Sequence, residues 1–337
     1  MAELLEIKDL TVHIAAPSGT VQALRQVNLT LHEGEVLAVV GESGSGKSML
    51  CRTIMKLLPR TARIESGSLT VEGTDILRCS ERTMCKLRGK LFSMILQNPM
   101  TAMDPTMTVG AQIVQAVRIH QSQMNRKAAY NRAIELMQMV GIERPHERFG
   151  LYPYHFSGGM RQRSVMAMAL AGNPKILIAD EPTTALDVTV QAQILDLLRS
   201  LQQRMNTATL LVSHDLGAVA RVADRVAIMY AGRIVEIGTA QEIFGDPRHP
   251  YTWGLLRALP AFARQGERLY SIPGMPPILI EPPNGDAFAC RNEYALAIDY
   301  EQAPPMFQVS PTHYAATWLL DPRAPRVRRP VGGTRHE

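Results

Sequence analysis

Four short apolar runs punctuate the chain, each bounded by turn-forming or charged residues, and each reads as a strand buried on both faces. They are EVLAVVG at residues 35–41, KILIAD at 175–180, ATLLVS at 208–213 and VAIMY at 226–230. The first leads into a glycine-rich turn, after which residues 47–58 carry the apolar spacing of a helix. Helical segments separate the other runs, so the pattern predicts an α/β fold with a mainly parallel core sheet flanked by helices.

Between residues 97 and 160 the pattern turns wholly helical. Asn125 is expected to cap a helix with Ala129, Ala133, Met137 and Val140 on one face, and Gly141 to end it. Residues 98–160 therefore read as a helical insertion, carried by an α/β core made of residues 1–97 and 161–258. Beyond Leu259 come proline-rich stretches, IPGMPPILIEPPNG at 272–285, which mark a small C-terminal extension over 259–337. No internal repeat is visible.

Composition narrows the classes. The 337 residues are 46% hydrophobic, enough for a substantial core. No stretch approaches the roughly 18 consecutive apolar residues of a membrane span, and the opening MAELLEIKDL carries acids where a secretion signal is apolar. A cytosolic location is expected. Cys51, Cys79, Cys85 and Cys290 form no CxxC pair, which suits a reducing compartment. Much of the net charge of +5 lies in residues 321–337, where five arginines stand against Asp321 and Glu337. The rest is nearly neutral, so no basic face points to nucleic acid.

The chemistry begins at residues 41–48, GESGSGKS, which match GxxxxGK[ST] between an expected strand and an expected helix. Gly41, Glu42, Ser43, Gly44, Ser45 and Gly46 would form a loop whose backbone N–H groups face phosphate oxygens. Lys47 would reach the β and γ phosphates of ATP, and the Ser48 hydroxyl would ligate Mg²⁺. Asp180 ends an apolar strand and Glu181 follows it, so two acids can divide two tasks. Asp180 would hold the metal and Glu181 would orient or deprotonate the attacking water.

With those residues in view, the chain resembles the ATP-binding subunits of ABC transporters, a branch of the P-loop NTPases. FSGGM at 156–160 resembles their LSGGQ signature, with Phe156 and Met160 replacing leucine and glutamine. The resemblance implies that Ser157, Gly158 and Gly159 touch the γ-phosphate of ATP held by an opposite subunit, either a related ATPase or a second copy. It also implies that Gln97 contacts Mg²⁺ and the water, that Ala185, Leu186 and Asp187 form a dimer-crossing loop, and that His214 senses the γ-phosphate. Many members stack adenine on an aromatic residue before the second strand; the matching stretch here, AAPSG at 15–19, has none.

The resemblance narrows to the oligopeptide/dipeptide importer ATPases. HPYTWGLL at 249–256, IPGMPP at 272–277 and residues 301–320 look like their C-terminal extension. Many relatives carry four cysteines there for an iron–sulfur cluster. The aligned positions here are Asp286, Asn292, Asp299 and Thr317, so no cluster is expected. The implied partners are two integral-membrane permease subunits and, through them, an extracytoplasmic binding protein, with this chain at the cytoplasmic face of the membrane. Two alternatives stay open at this point: a nickel or metallophore importer ATPase, and a soluble ABC ATPase outside transport. A single phosphate loop and the lack of a heptad run speak against the second.

Overall fold

The computed structural model describes residues 2–184, 186–260 and 270–331. In chain order the strands are β1 (Glu3–Ala16), β2 (Gly19–His32), β3 (Val36–Val40), β4 (Ala62–Val71), β5 (Thr74–Asp75), β6 (Phe92–Ile95), β7 (Ile176–Asp180), β8 (Ala208–Ser213), β9 (Arg225–Tyr230), β10 (Arg233–Thr239), β11 (Phe307–Gln308) and β12 (Tyr314–Ala315). The α-helices up to residue 170 are α1 (Lys47–Ile54), α2 (Glu81–Leu87), α3 (Pro99–Ala102), α4 (Val109–His120), α5 (Arg126–Met139), α6 (Pro145–Arg148) and α7 (Gly158–Leu170). After them come α8 (Val188–Met205), α9 (Leu216–Val219), α10 (Ala240–Gly245), α11 (Pro250–Arg257) and α12 (Ala297–Glu301). Among the described residues, no helix is long and apolar enough to cross a membrane.

Two compact units emerge. One comprises the chain up to residue 4, residues 31–36 and residues 75–212; the other comprises residues 5–30, residues 37–74 and the chain from residue 213 on.

In the first unit β7 pairs in parallel with β6 on one side and β8 on the other, from Ile176 opposite Phe92 and Ala208 onward. Every residue of β7 and β8 is buried, which is why both read in the sequence as unbroken apolar runs. Helices α4, α5 and α7 pack on one another. Asn125 caps α5 as expected, its side chain accepting from the Ala128 N–H at 2.9 Å. Ala129, Ala133 and Met137 form part of the buried face, and Gly141, at φ 72°, follows the helix end.

In the second unit β3 pairs in parallel with β9, and β9 pairs antiparallel with β10. The sheet then continues through β12 and β11, both antiparallel, so residues after 300 close its edge. A second sheet places β1 between β2 and β4, with β1 and β4 antiparallel. The expected helix over 47–58 is shorter, ending at Ile54. Lys56 adopts φ 51°, a left-handed conformation that stops the helix, and Leu57 is left exposed.

A buried carboxylate ties the end of this unit together. Glu236, on β10, is fully buried, and its Oε1 accepts from the Arg248 N–H at 2.6 Å and pairs with His313 Nε2 at 2.7 Å. Its Oε2 accepts from the His249 N–H at 3.0 Å and from the Thr252 hydroxyl. Three separate stretches of chain thus meet at one side chain.

Asp286 lies in the same unit, near Arg25, Arg233 and Asp299. Burial pushes its carboxyl from 3.8 up to about 6, against the pull of the two arginines. The folded chain therefore favours the neutral acid, a contribution fully present below about pH 4 and lost as pH rises through about 6. Asp286→Asn should be more stable than the parent at pH 8, by up to about 3 kcal/mol, with the gap closing toward pH 4. Urea unfolding across that range checks this; a difference independent of pH would rule it out.

Candidate functional site

The phosphate-loop motif sits in the second unit, between β3 and α1. Gly41 is required by close approach: a Cβ there would stand 2.1 Å from the Met229 carbonyl oxygen on β9. Gly44 and Gly46 are required by conformation, at φ 80° and 108°. Gly46 is also the residue before α1, so the chain enters the helix with the loop wrapped over its N-terminal end. Ser43 and Gly44 are exposed, whereas Ser45 and Lys47 are buried.

The loop is internally braced. Lys47 Nζ donates to the carbonyls of Gly41 and Glu42, each at 2.8 Å, and the Ser45 N–H donates to the Glu42 carbonyl at 3.2 Å. Ser45 in turn accepts through its carbonyl from the Gly232 N–H at 2.9 Å, fixing the loop to the β9–β10 turn. Ser48 is part-buried in the first turn of α1. A hydroxyl there is a hard oxygen donor of the kind Mg²⁺ prefers.

Glu42 carries contacts that the motif does not specify. Its N–H donates to the Tyr251 hydroxyl at 2.8 Å. Its carboxylate receives a two-point contact from Arg291, Nη1 to Oε2 at 2.6 Å and Nη2 to Oε1 at 2.9 Å. Arg291 lies 249 residues away in sequence, so no local pattern could have announced the pair. His214, in the same unit, is exposed just after β8. Its neighbour Asp215 caps α9 by accepting from the Ala218 N–H at 3.1 Å.

The remaining expected residues belong to the first unit. Asp180 is the buried last residue of β7, and Glu181 follows at φ 48°, a strained turn that takes its side chain off the strand. The Glu181 N–H still donates to the Val212 carbonyl at 2.9 Å, so the backbone stays anchored to β8. Two donors meet its Oε2: Gln97 Nε2 at 3.0 Å and Thr184 Oγ1 at 2.9 Å. The structure thus joins Gln97 and Glu181 through a direct side-chain bond. Thr184 was not singled out in the sequence.

Ser157 caps α7 through a 3.3 Å bond accepted from the Met160 N–H, and Ser157 and Gly158 are exposed at that helix start. A Cβ on Gly159 would come within 2.7 Å of Val190, at the start of α8. Asp187 caps α8, accepting from the Val190 N–H at 3.0 Å, while Gln191 Nε2 donates to the Leu186 carbonyl at 3.0 Å. Ala185 lies outside the described residues.

Comparison with known proteins identifies the family. Residues 24–184 match the ABC transporter family, and residues 235–298 match the oligopeptide/dipeptide transporter C-terminal region. The oligopeptide transport ATP-binding protein OppD of Bacillus subtilis is 55% identical over 98% of this chain and 92% of its own length. The dipeptide transport ATP-binding protein DppD of Lactococcus lactis is 54% identical over 97% of this chain and 94% of its own. The chain belongs to the ABC transporter ATP-binding proteins. As a member of that family it is an ATPase with the P-loop fold. A solved dimeric ATP-binding cassette in a post-hydrolysis state, bound to ADP and Pi, superposes with a TM-score of 0.63 at 25% identity, covering 70% of this chain and 98% of that one. In this ABC ATPase Phe156, the first residue of FSGGM, is buried.

Proposed function

We propose that this ATPase energises the uptake of oligopeptides or dipeptides through separate permease subunits. The observation that carries the reading is the matched C-terminal region at residues 235–298, joined to an ATP-binding core in one chain. The loop over residues 41–48 receives the phosphates of ATP, with Lys47 as the cation among them. Ser48, Asp180 and Gln97 offer a hydroxyl, a carboxylate and an amide oxygen, an all-oxygen set that suits Mg²⁺. When bound, the ion neutralises charge on the β and γ phosphates. Glu181 orients the attacking water, Gln97 steadies Glu181, and His214 senses the γ-phosphate.

The working unit is a head-to-tail pair, with a related ATPase or a second copy, in which Ser157, Gly158 and Gly159 of each chain close the other's site. Residues 98–160 receive two integral-membrane permeases, on a core of 1–97 and 161–258 with an extension over 259–337. The chain thus sits at the cytoplasmic face of the membrane and meets an extracytoplasmic binding protein only through the permeases. Nothing in its residues calls for an iron–sulfur cluster.

Uptake of a labelled tripeptide should disappear from cells lacking the chain and return with the parent sequence but not with Lys47→Ala, while the permeases co-purify with either version from detergent-solubilised membranes. Unchanged peptide uptake with lost nickel uptake would replace peptide by metal as the cargo. Failure of any membrane protein to co-purify would remove transport altogether.

A further inference from the structure

The second residue of the phosphate loop is held on three sides. Lys47 Nζ bonds to its carbonyl, the Tyr251 hydroxyl accepts from its N–H, and Arg291 grips its carboxylate. Only the first of these holds comes from within the motif. Tyr251 belongs to α11 and Arg291 to the short helical turn Ala289–Arg291.

Arg291 is built into this position. Its side chain is 5% exposed, and besides Glu42 it donates from Nε to the Pro273 carbonyl at 2.8 Å and from Nη1 to the Tyr230 hydroxyl at 3.2 Å. Tyr230, Tyr251 and Phe288 form an aromatic cluster alongside, with ring centroids 4.6 to 5.3 Å apart. A planar guanidinium fixed at this many points presents a preset fork to a carboxylate, which a flexible ammonium would not. Its bonds to Glu42 raise the Arg291 guanidinium still further above its usual range, so its charge is permanent.

A carboxylate beside a loop that must receive a polyphosphate is an electrostatic conflict. Left bare, Glu42 would repel the incoming anion through a short, partly desolvated path. A shift of the residue as a whole would carry with it the carbonyl that steadies Lys47. The Arg291 fork prevents both, neutralising the charge and pinning the residue, while the exposed Ser43 and Gly44 keep the outward side of the loop open.

We propose that Arg291 is a positioning residue for ATP binding, by which the C-terminal extension neutralises and fixes Glu42 so that the phosphate loop accepts polyphosphate. The proposal rests on the reading that residues 41–48 bind the phosphates. It makes the extension part of the ATP-binding apparatus, in addition to the two closing strands it gives the sheet. Tyr251 completes the hold by occupying the Glu42 N–H, which directs phosphate toward the later amides of the loop.

The test uses the full chain, measuring MgATP affinity by fluorescent-nucleotide displacement, and KM and kcat in the assembled complex. Arg291→Met should weaken ATP binding and raise KM about tenfold, with kcat changed less than about twofold. Adding Glu42→Gln to it should recover most of the loss, because the uncompensated charge is gone. Arg291→Lys, which keeps the charge and loses the fork, should fall between and covers the case in which Arg291→Met folds poorly. Asp321→Asn, which breaks the pair with the exposed Arg323 in the extension, should leave KM unchanged. Parent-like KM in the folded Arg291 variants, or a double variant no better than Arg291→Met, overturns the proposal. Lys47→Ala run in parallel separates the two readings: if it too binds ATP normally, the phosphate-loop assignment fails, and if only the Arg291 effect is missing, the clamp alone fails.

Discussion

Glu181→Gln should bind MgATP with parent affinity and hydrolyse it about a thousandfold more slowly, within the 10²–10⁴ range typical of a lost general base. The geometry makes this a clean substitution. Glutamine has the same length, and its amide oxygen can accept the two bonds that now reach Oε2 from Gln97 and Thr184. The backbone constraint is unchanged, since the φ of 48° and the N–H bond to Val212 do not depend on the side-chain charge. Only the power to polarise or deprotonate water is removed. Single-turnover hydrolysis beside equilibrium binding checks both halves; parent-like turnover would take the role away from Glu181, and lost binding would make it a nucleotide ligand.

The largest stability effect should come from Glu236→Ala. Removing one member of a buried, hydrogen-bonded charge cluster typically costs about 3–5 kcal/mol, because the partners stay behind unsatisfied. Here the stranded groups would be the N–H groups of Arg248 and His249, the Thr252 hydroxyl and the His313 ring, all of which now converge on one carboxylate. Glu236→Gln should cost less, since its one carbonyl oxygen can still accept part of the set. Urea denaturation of the purified chain gives both values, and a loss under about 1 kcal/mol for the alanine variant would mean the cluster relaxes around the gap.

What the sequence disclosed depended on how locally each feature is written. Strands β3, β7, β8 and β9 were legible because burial on both faces leaves continuous runs of valine, isoleucine and leucine. The phosphate loop was legible because its glycines, lysine and serine must sit at fixed spacing. The antiparallel β1, β2 and β4 were not among the expected strands: their burial is interrupted, and β4 alone has eight positions that are not buried. Resemblance, not periodicity, brought Gln97 and Glu181 into one reading, since 84 residues separate them. No pattern read in the sequence pointed to Arg291 or Thr184, and HPYTWGLL placed His249 and Thr252 in the extension without showing that they meet Glu236. A side chain's distant partner is set by tertiary packing, and arginine or glutamate in a polar stretch looks the same whether solvated or clamped.

The span between Glu42 and Arg291 also sets an order in time. A ribosome adds roughly 5–20 residues per second, so the phosphate loop emerges some ten to fifty seconds before the guanidinium that completes it. During that interval the nascent chain already carries GESGSGKS, but with a bare carboxylate at its second position. On the proposed clamp, nucleotide capture would mature near the end of synthesis, and a chain truncated before residue 291 would be a poor competitor for cellular ATP even with every residue of the motif intact.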